Sequence, residues 1–230
     1  MEIHKKTVKI SDEVPTTEDL FLLLQQASGE HCDELGFGME IMGPKELIWV
    51  IVRHRLDMIR YPICGEEITI ETWPGLTRHG LFPRHYEIKD SSGEIIAESA
   101  ALWTLVDVNS RKMIKPENYG VDFPGTVTGR EKPSPKAPEK LPQDKCFEFV
   151  VPEEYLDGNG HMNNTRYYRM AESCIKEGIE NKELVLASTE FASEALLGDK
   201  LKISVGQEGN RFYISGETNA PIFKMMLEYR

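Results

Sequence analysis

No apolar run in the 230-residue sequence approaches the length of about 20 residues that a membrane-spanning helix needs. The first ten residues alternate charged and apolar side chains and hold no apolar core of a secretory signal. Cysteine is scarce and dispersed. Cys32, Cys64, Cys146 and Cys174 form no C-x-x-C pair, which argues against a structural metal. Positive charge is in deficit, with 27 Lys and Arg against 38 Asp and Glu and a net charge of -11. That balance argues against a nucleic-acid partner, because phosphate binding needs a cationic surface. The expectation is a reduced, cytoplasmic protein with no membrane insertion, no metal and no cofactor.

What is present is concentrated in Asp157-Gly158-Asn159-Gly160-His161-Met162-Asn163-Asn164. A carboxylate, an amide and an imidazole stand at every second position and precede a second amide pair. An Asn at a helix N-cap accepts a backbone N–H that the first turn leaves unpaired. Tyr168, Ala171, Ile175 and Ile179 follow at helical spacing. The pattern predicts a Gly-loosened loop entering a helix N-terminus, where N–H groups and the positive dipole end are available to a developing oxyanion.

In chain order, residues 3–10 alternate as an edge strand does. Thr16 or Thr17 with Glu18 and Asp19 marks a helix start. Leu20, Leu24, Ala27, His31 and Leu35 repeat at helical spacing, Leu22 and Leu23 widen the stripe, and Gly36 and Gly38 end it. Residues 46–60 read as a long strand. Its alternation puts Ile48, Val50, Val52, His54, Leu56 and Met58 on one face and Trp49, Ile51, Arg53, Arg55 and Asp57 on the other. Strands at 67–73, 80–90 and 94–108 follow, the last two joined by Asp90-Ser91-Ser92-Gly93.

Pro116, Pro124, Pro133, Pro135, Pro138 and Pro142 then fall in a polar stretch. Proline cannot donate to a ladder, so residues 126–143 read as a linker between units at 1–125 and 144–230. After it come a strand at 145–151, the Asp157–Asn164 loop, a helix to about Gly178, and strands near 184–194, 199–206, 210–217 and 220–229. Strand, helix and four strands therefore occur twice, as a tandem repeat. The first copy has Val14-Pro15 before its helix and lacks the polar set.

These residues resemble the acyl-acyl-carrier-protein (acyl-ACP) thioesterases, the plant-type fatty acyl enzymes and their bacterial relatives. The first half is similar through Leu47-Ile48-Trp49-Val50, Arg60-Tyr61-Pro62, Thr72-Trp73, Ala101-Leu102-Trp103 and Arg111-Lys112-Met113. The second half is similar through D-x-N-x-H-x-N-N at 157–164 and Glu190-Phe191-Ala192-Ser193-Glu194. The resemblance implies an α+β tandem double hotdog, each repeat a curved antiparallel sheet wrapped around a central helix. It implies hydrolysis of acyl-ACP, and a catalytic set at Asp157, Asn159, His161 and Glu194. Many plant members carry Cys directly after the residue equivalent to Glu194; here Ala195 stands there, so no cysteine nucleophile is available at that place. The strand face from Glu190 to Ser193 also lacks the family's arginine.

Thioester hydrolysis needs a base for water, a stabiliser for the carbonyl oxygen and a held acyl chain. Asp157, Glu194 or His161 can serve as the base, and residue types alone leave the choice open. Asn159 and backbone N–H groups near Asn163–Asn164 are candidates for the oxyanion. His54, on an apolar strand face, and His31 read as core histidines, and Met39, Met42 and Met58 as core fillers. Cys174 lies several turns into the helix, a poor place for a nucleophile. Arg53, Arg55, Arg78, His79, Arg84, Arg111, Lys112 and Lys115 are the basic residues that could meet an acidic carrier protein. Two other readings stay open, an acyl-CoA thioesterase and a non-catalytic acyl-binding module. A homodimer is also open, although two repeats already supply in one chain what single-hotdog proteins assemble by pairing.

Overall fold

The structure, a computed structural model, describes residues 3–11, 13–139 and 144–230. Positions 140–143 of the expected linker, Pro142 among them, lie outside the described residues. In the first half, β1 (His4–Lys9) leads to α1 (Thr17–Glu34) and a short α2 (Met39–Met42). Four strands follow: β2 (Leu47–Met58), β3 (Glu67–Pro74), β4 (Leu81–Lys89) and β5 (Ile95–Asp107), with a two-residue β6 (Lys112–Met113). In the second half, β7 (Lys145–Val150) and α3 (Arg166–Ile179) precede β8 (Leu184–Phe191), β9 (Lys200–Glu208), β10 (Arg211–Glu217) and β11 (Pro221–Tyr229). Strand, helix, four strands recurs as the sequence pattern predicts; α2 and β6 are additions that it did not reveal.

The strands form one sheet in the order β1-β3-β4-β5-β2-β8-β11-β10-β9-β7, with β6 beside β5. Each half repeats the same order: first, third, fourth, fifth, second. The two second strands meet in an antiparallel seam, from Arg53 opposite Glu190 to Asp57 opposite Leu186. The fold is therefore α+β, two hotdog-like modules joined edge to edge.

Helix α1 begins where its side chains can cap it. Thr16 accepts from the Asp19 N–H at 3.2 Å, and the Asp19 carboxylate accepts from the Thr16 N–H at 2.8 Å. Such a cap contributes about 1 kcal/mol. Leu20, Phe21, Leu24 and Ala27 are buried against the sheet, and Phe21 stacks on Tyr168 of α3 with ring centroids 3.8 Å apart. Leu22, expected to widen the apolar stripe, is 37% exposed, because the stripe points away from it. His54 is a core histidine as expected: it is buried, touches Ser99 Oγ at 3.0 Å, and sits edge-on to Phe21.

Strict alternation in β2 fails at one residue. The pairing with β5 puts Ile51 opposite Trp103 and Arg53 opposite Leu102, so Val52 has no partner. One extra residue reverses which side chains face inward. Leu47 and Ile51 before the bulge, and His54, Leu56 and Met58 after it, are all buried. The face assignment read from the sequence therefore holds only beyond Val52.

The bulge also marks the end of the seam. Beyond Arg53, β2 runs on through Ile48–Ile51 without β8 beside it. A cleft opens there between the two halves of the sheet. The proline-rich stretch does not hang free: Arg130 pairs with Glu71 and Glu87, and Lys132 with Glu87 and Glu98, which straps it across β3, β4 and β5. Burial would raise Glu71, but hydrogen bonds from Lys89, Arg130 and Lys5 hold it down at about 2. Among the described residues no helix is long and apolar enough to cross a membrane.

Candidate functional site

The cleft is lined by the polar loop. Leu156 and Met162 bridge antiparallel and close it; the Asp157 N–H donates to the His161 carbonyl at 2.8 Å, and the Gly160 N–H to the Asp157 carbonyl at 3.0 Å. Gly160 has φ +79°, the left-handed conformation that favours glycine. Asp157 Oδ1 accepts from the Asn159 N–H at 2.8 Å and, more weakly, from the His161 N–H at 3.4 Å. The carboxylate thus organises its own loop, as Asx residues do in turns.

Glu194 reaches the loop because β8 stops early. The strand expected to run to 194 ends at Phe191, and the N–H groups of Ala192 and Ser193 both donate to the Ile222 carbonyl. The chain then turns alongside the loop. Met162 donates its N–H to the Ala195 carbonyl at 2.8 Å, and His161 bridges Leu196. His161 Nε2 and Glu194 Oε2 consequently lie 3.1 Å apart. His161 is 9% exposed, so its imidazole is held by its surroundings.

The helix start differs from the expectation. Asn163 is not the N-cap of α3. Its Oδ1 accepts from Thr165 N–H and Oγ1, both at 2.9 Å, which forms a turn ahead of the helix, and Thr165 takes the cap position. The Asn163 N–H is engaged by the Tyr155 carbonyl at 2.8 Å. Of Asn163, Asn164 and Thr165, only Asn164 has an N–H that carries no hydrogen bond to a described residue. Asn164 lines the cleft together with Asp157, Asn159, His161 and Glu194, in a cavity of about 350 Å³. All four expected site residues are thus brought to one place.

A fifth residue comes from the other half. Past β5 the chain folds back on itself, with Arg111 N–H donating to the Asp107 carbonyl at 2.9 Å and Ser110 N–H to Asp107 Oδ1 at 2.7 Å. Arg111 sits at φ +54° at this turn and reaches into the cleft. Its Nη1 lies 2.9 Å from Glu194 Oε2 and 3.3 Å from His161 Nε2. Arg111, read from the sequence as one of the basic residues for an acidic partner, also lines the cleft. The signal was present in Arg111-Lys112-Met113 after a long strand, but a contact across 83 positions has no local mark.

The other basic candidates sort by environment. Arg53 is paired with Glu190 and Arg55 with Asp57, each through two hydrogen bonds. Arg84 is 3% exposed. Arg78, His79, Lys112 and Lys115 remain on the surface without an ion pair among the described residues. His79 and Lys115 line one surface cavity with Gly80, Met113 and Ile114, which brings the Arg78–His79 turn beside the Lys112–Lys115 segment. A second cavity of about 320 Å³ lies beneath α1 and adjoins the cleft: Trp49 and Asn159 line both. Phe82, Trp103 and Phe123 make its walls largely aromatic.

This architecture, two hotdog modules with one polar cleft at their junction, has close counterparts. Over 99% of the chain it superposes on an acyl-ACP thioesterase from Bacteroides thetaiotaomicron with a TM-score of 0.81 at 20% identity, covering 98% of that chain. The 12:0-ACP thioesterase from Umbellularia californica superposes with a TM-score of 0.82 at 20% identity, over 99% of this chain and 97% of that one. In sequence, a chloroplastic palmitoyl-acyl carrier protein thioesterase from Cuphea hookeriana is 25% identical over 201 residues, 80% of this chain and 48% of that protein. The chain spans about half the length of the curated relatives it matches first. Residues 1–119 match the acyl-ACP thioesterase N-terminal domain and residues 139–227 the C-terminal domain of that family. The chain belongs to the acyl-ACP thioesterase family.

Proposed function

We propose that this protein hydrolyses the thioester of acyl-ACP and releases the free fatty acid. The observation that carries the reading is the His161–Glu194 pair, 3.1 Å apart beside Asn159, in a cleft that adjoins an apolar cavity. Family membership supports it. The acyl chain lies in the aromatic cavity and the thioester carbonyl in the cleft. His161 and Glu194 together take a proton from water as its oxygen attacks the carbonyl carbon. The carbonyl oxygen becomes an oxyanion that accepts hydrogen bonds from the Asn159 side chain and the Asn164 N–H. Collapse breaks the C–S bond, and the proton returns to the departing thiolate. Asp157 holds the loop in shape, because its Oδ1 is already engaged by two N–H groups.

The direct test is thiol release from a panel of acyl-ACPs and acyl-CoAs by the purified protein. Release from acyl-ACP supports the reading, a preference for acyl-CoA favours the CoA alternative, and no release from either leaves only a binding module.

Carrier recognition rests on the cluster at Arg78, His79, Lys112 and Lys115. A local cationic patch on an acidic molecule can steer an acidic carrier protein to the cleft. Screening should therefore lower kcat/KM for acyl-ACP as ionic strength rises. Replacing Lys112 and Lys115 together by Glu is expected to raise KM for acyl-ACP more than for uncharged acyl-pantetheine. A flat salt response, or equal changes on both substrates, would count against the patch.

Water is the nucleophile in this reading, with no acyl-cysteine formed. Ala195 has no nucleophilic atom, and burial pushes the Cys32 and Cys174 thiols up, away from thiolate. Cys64 and Cys146 are exposed and outside the cleft lining. Intact-mass spectra taken during turnover should show unmodified protein. An acyl adduct mapped to any cysteine would overturn the single-step mechanism.

A further inference from the structure

Cationic side chains are rarely buried without an anion beside them, because desolvating a charge is costly. Arg84 on β4 is such a case. It is 3% exposed, and its partners are His31 Nδ1 at 3.1 Å, Thr72 Oγ1 at 3.4 Å and Cys32 Sγ at 3.4 Å. No carboxylate of the described residues forms an ion pair with it. The three partners are neutral. Burial, the Arg84 charge and the neighbouring His4 push His31 down to about 4, so its ring is uncharged near pH 7. Burial raises the Cys32 thiol as well. Thr72 is already turned to the His85 carbonyl, to which it donates at 3.0 Å.

Arg84 lines the aromatic cavity that adjoins the cleft. Trp103 Nε1 stands in the same wall, buried and without a well-formed hydrogen bond among the described residues. The Tyr86 hydroxyl lies beside it and, as the donor to Ser28 Oγ at 2.6 Å, keeps a lone pair that can accept from the indole N–H. The cavity wall thus carries a buried cation whose partners are all neutral, whereas a pocket for a plain alkyl tail needs no charge. The register places Arg84 away from the cleft. Ile51 of β2 lines the cleft, Trp103 pairs with it on β5, Phe82 pairs with Trp103 on β4, and Arg84 lies two residues further along. Two strand spacings separate β2 from β4, roughly 10 Å.

We propose that this cavity receives an acyl chain bearing an oxygen function away from the thioester, and that Arg84 binds that oxygen. A carboxylate is the full match, because it accepts the guanidinium fork and neutralises the buried charge. A hydroxyl or oxo group satisfies one donor. The inference rests on the acyl-thioester reading above and adds to it the chemistry of the chain. It makes the cavity selective: a site with buried donors favours the substrate that pairs them over one that leaves them bare.

The test compares acyl-pantetheines of matched length, over a series of lengths, that end in methyl, hydroxyl or carboxylate. Wild type is expected to turn over the best oxygenated chain at least about tenfold more efficiently in kcat/KM than its methyl-ended match. Arg84→Met should erase that ratio, chiefly through KM, and Arg84→Lys should restore part of it. Binding of free fatty acids and their terminally carboxylated counterparts to wild type, followed by calorimetry, reads the same preference without hydrolysis or any variant. Tighter binding of the carboxylated acids with no thiol release from any substrate would sink the hydrolase reading and leave this one standing. Efficient thiol release with equal or better use of methyl-ended chains at every length, and no binding preference, would overturn this inference and leave the hydrolase. If Arg84→Met does not fold, the wild-type comparison alone decides.

Discussion

Replacing His161 by Ala should leave a folded protein whose kcat on its thioester substrate is lower by about a hundredfold or more, the usual effect of removing a general base. The side chain touches Glu194 and Arg111 and is not part of the apolar core cluster, while its backbone carries the loop's hydrogen bonds. Truncation removes the imidazole and spares the His161 carbonyl that accepts from Asp157 N–H. Circular dichroism and the thermal midpoint should therefore stay near wild type while turnover collapses. Glu194→Gln keeps the shape but not the acceptor charge, and its loss should approach that of His161→Ala. The double variant should be little worse than either single one, because groups that act as a unit are not additive. Near-wild-type turnover by folded His161→Ala would remove the assignment, and fully additive losses would show that the two residues act separately.

Arg111→Met is expected to cost roughly tenfold in kcat, with KM for acyl-pantetheine changed by much less. The reason is positional. The guanidinium sits 2.9 Å from Glu194 Oε2 and 3.3 Å from His161 Nε2, so it ties the two groups to a turn of the other half. Its value is not stability: the side chain is 52% exposed and that of Glu194 36%, and exposed ion pairs contribute about 0–1 kcal/mol. Arg111→Lys keeps a cation but loses the planar fork, and should fall between wild type and Met. Unfolding midpoints of the three proteins should nearly coincide. A large drop in midpoint with unchanged kcat would reassign Arg111 to holding the halves together, and a change confined to KM would return it to carrier recognition.

Legibility in the sequence followed the range of the interaction. The α1 start was readable because its cap uses residues three apart, Thr16 and Asp19. Asp157, Asn159 and His161 were readable because one short loop holds them. Asn163 was misread as the cap of α3, since its side chain accepts from Thr165 in a turn one step earlier. The faces of β2 were misassigned upstream of Val52, because a bulge is a property of two paired strands. Glu194 was found only by resemblance, and Arg111 was assigned another role, since each acts on a neighbour distant in sequence.

The sequence by itself determined the main strands and the two long helices, that their order occurs twice, and which loop gathers the polar set. Those properties depend on periodicity, caps and turn residues, all local along the chain. Only the tertiary structure decided that β2 and β8 join the repeats, that the seam stops at Arg53, and that the opening beyond it brings Arg111 to Glu194 and His161. It also decided that Arg84 is buried without a carboxylate at a cavity wall, rather than exposed to a partner. Charge, pairing and burial at these points depend on which strands lie side by side, and spacing along the chain does not encode that.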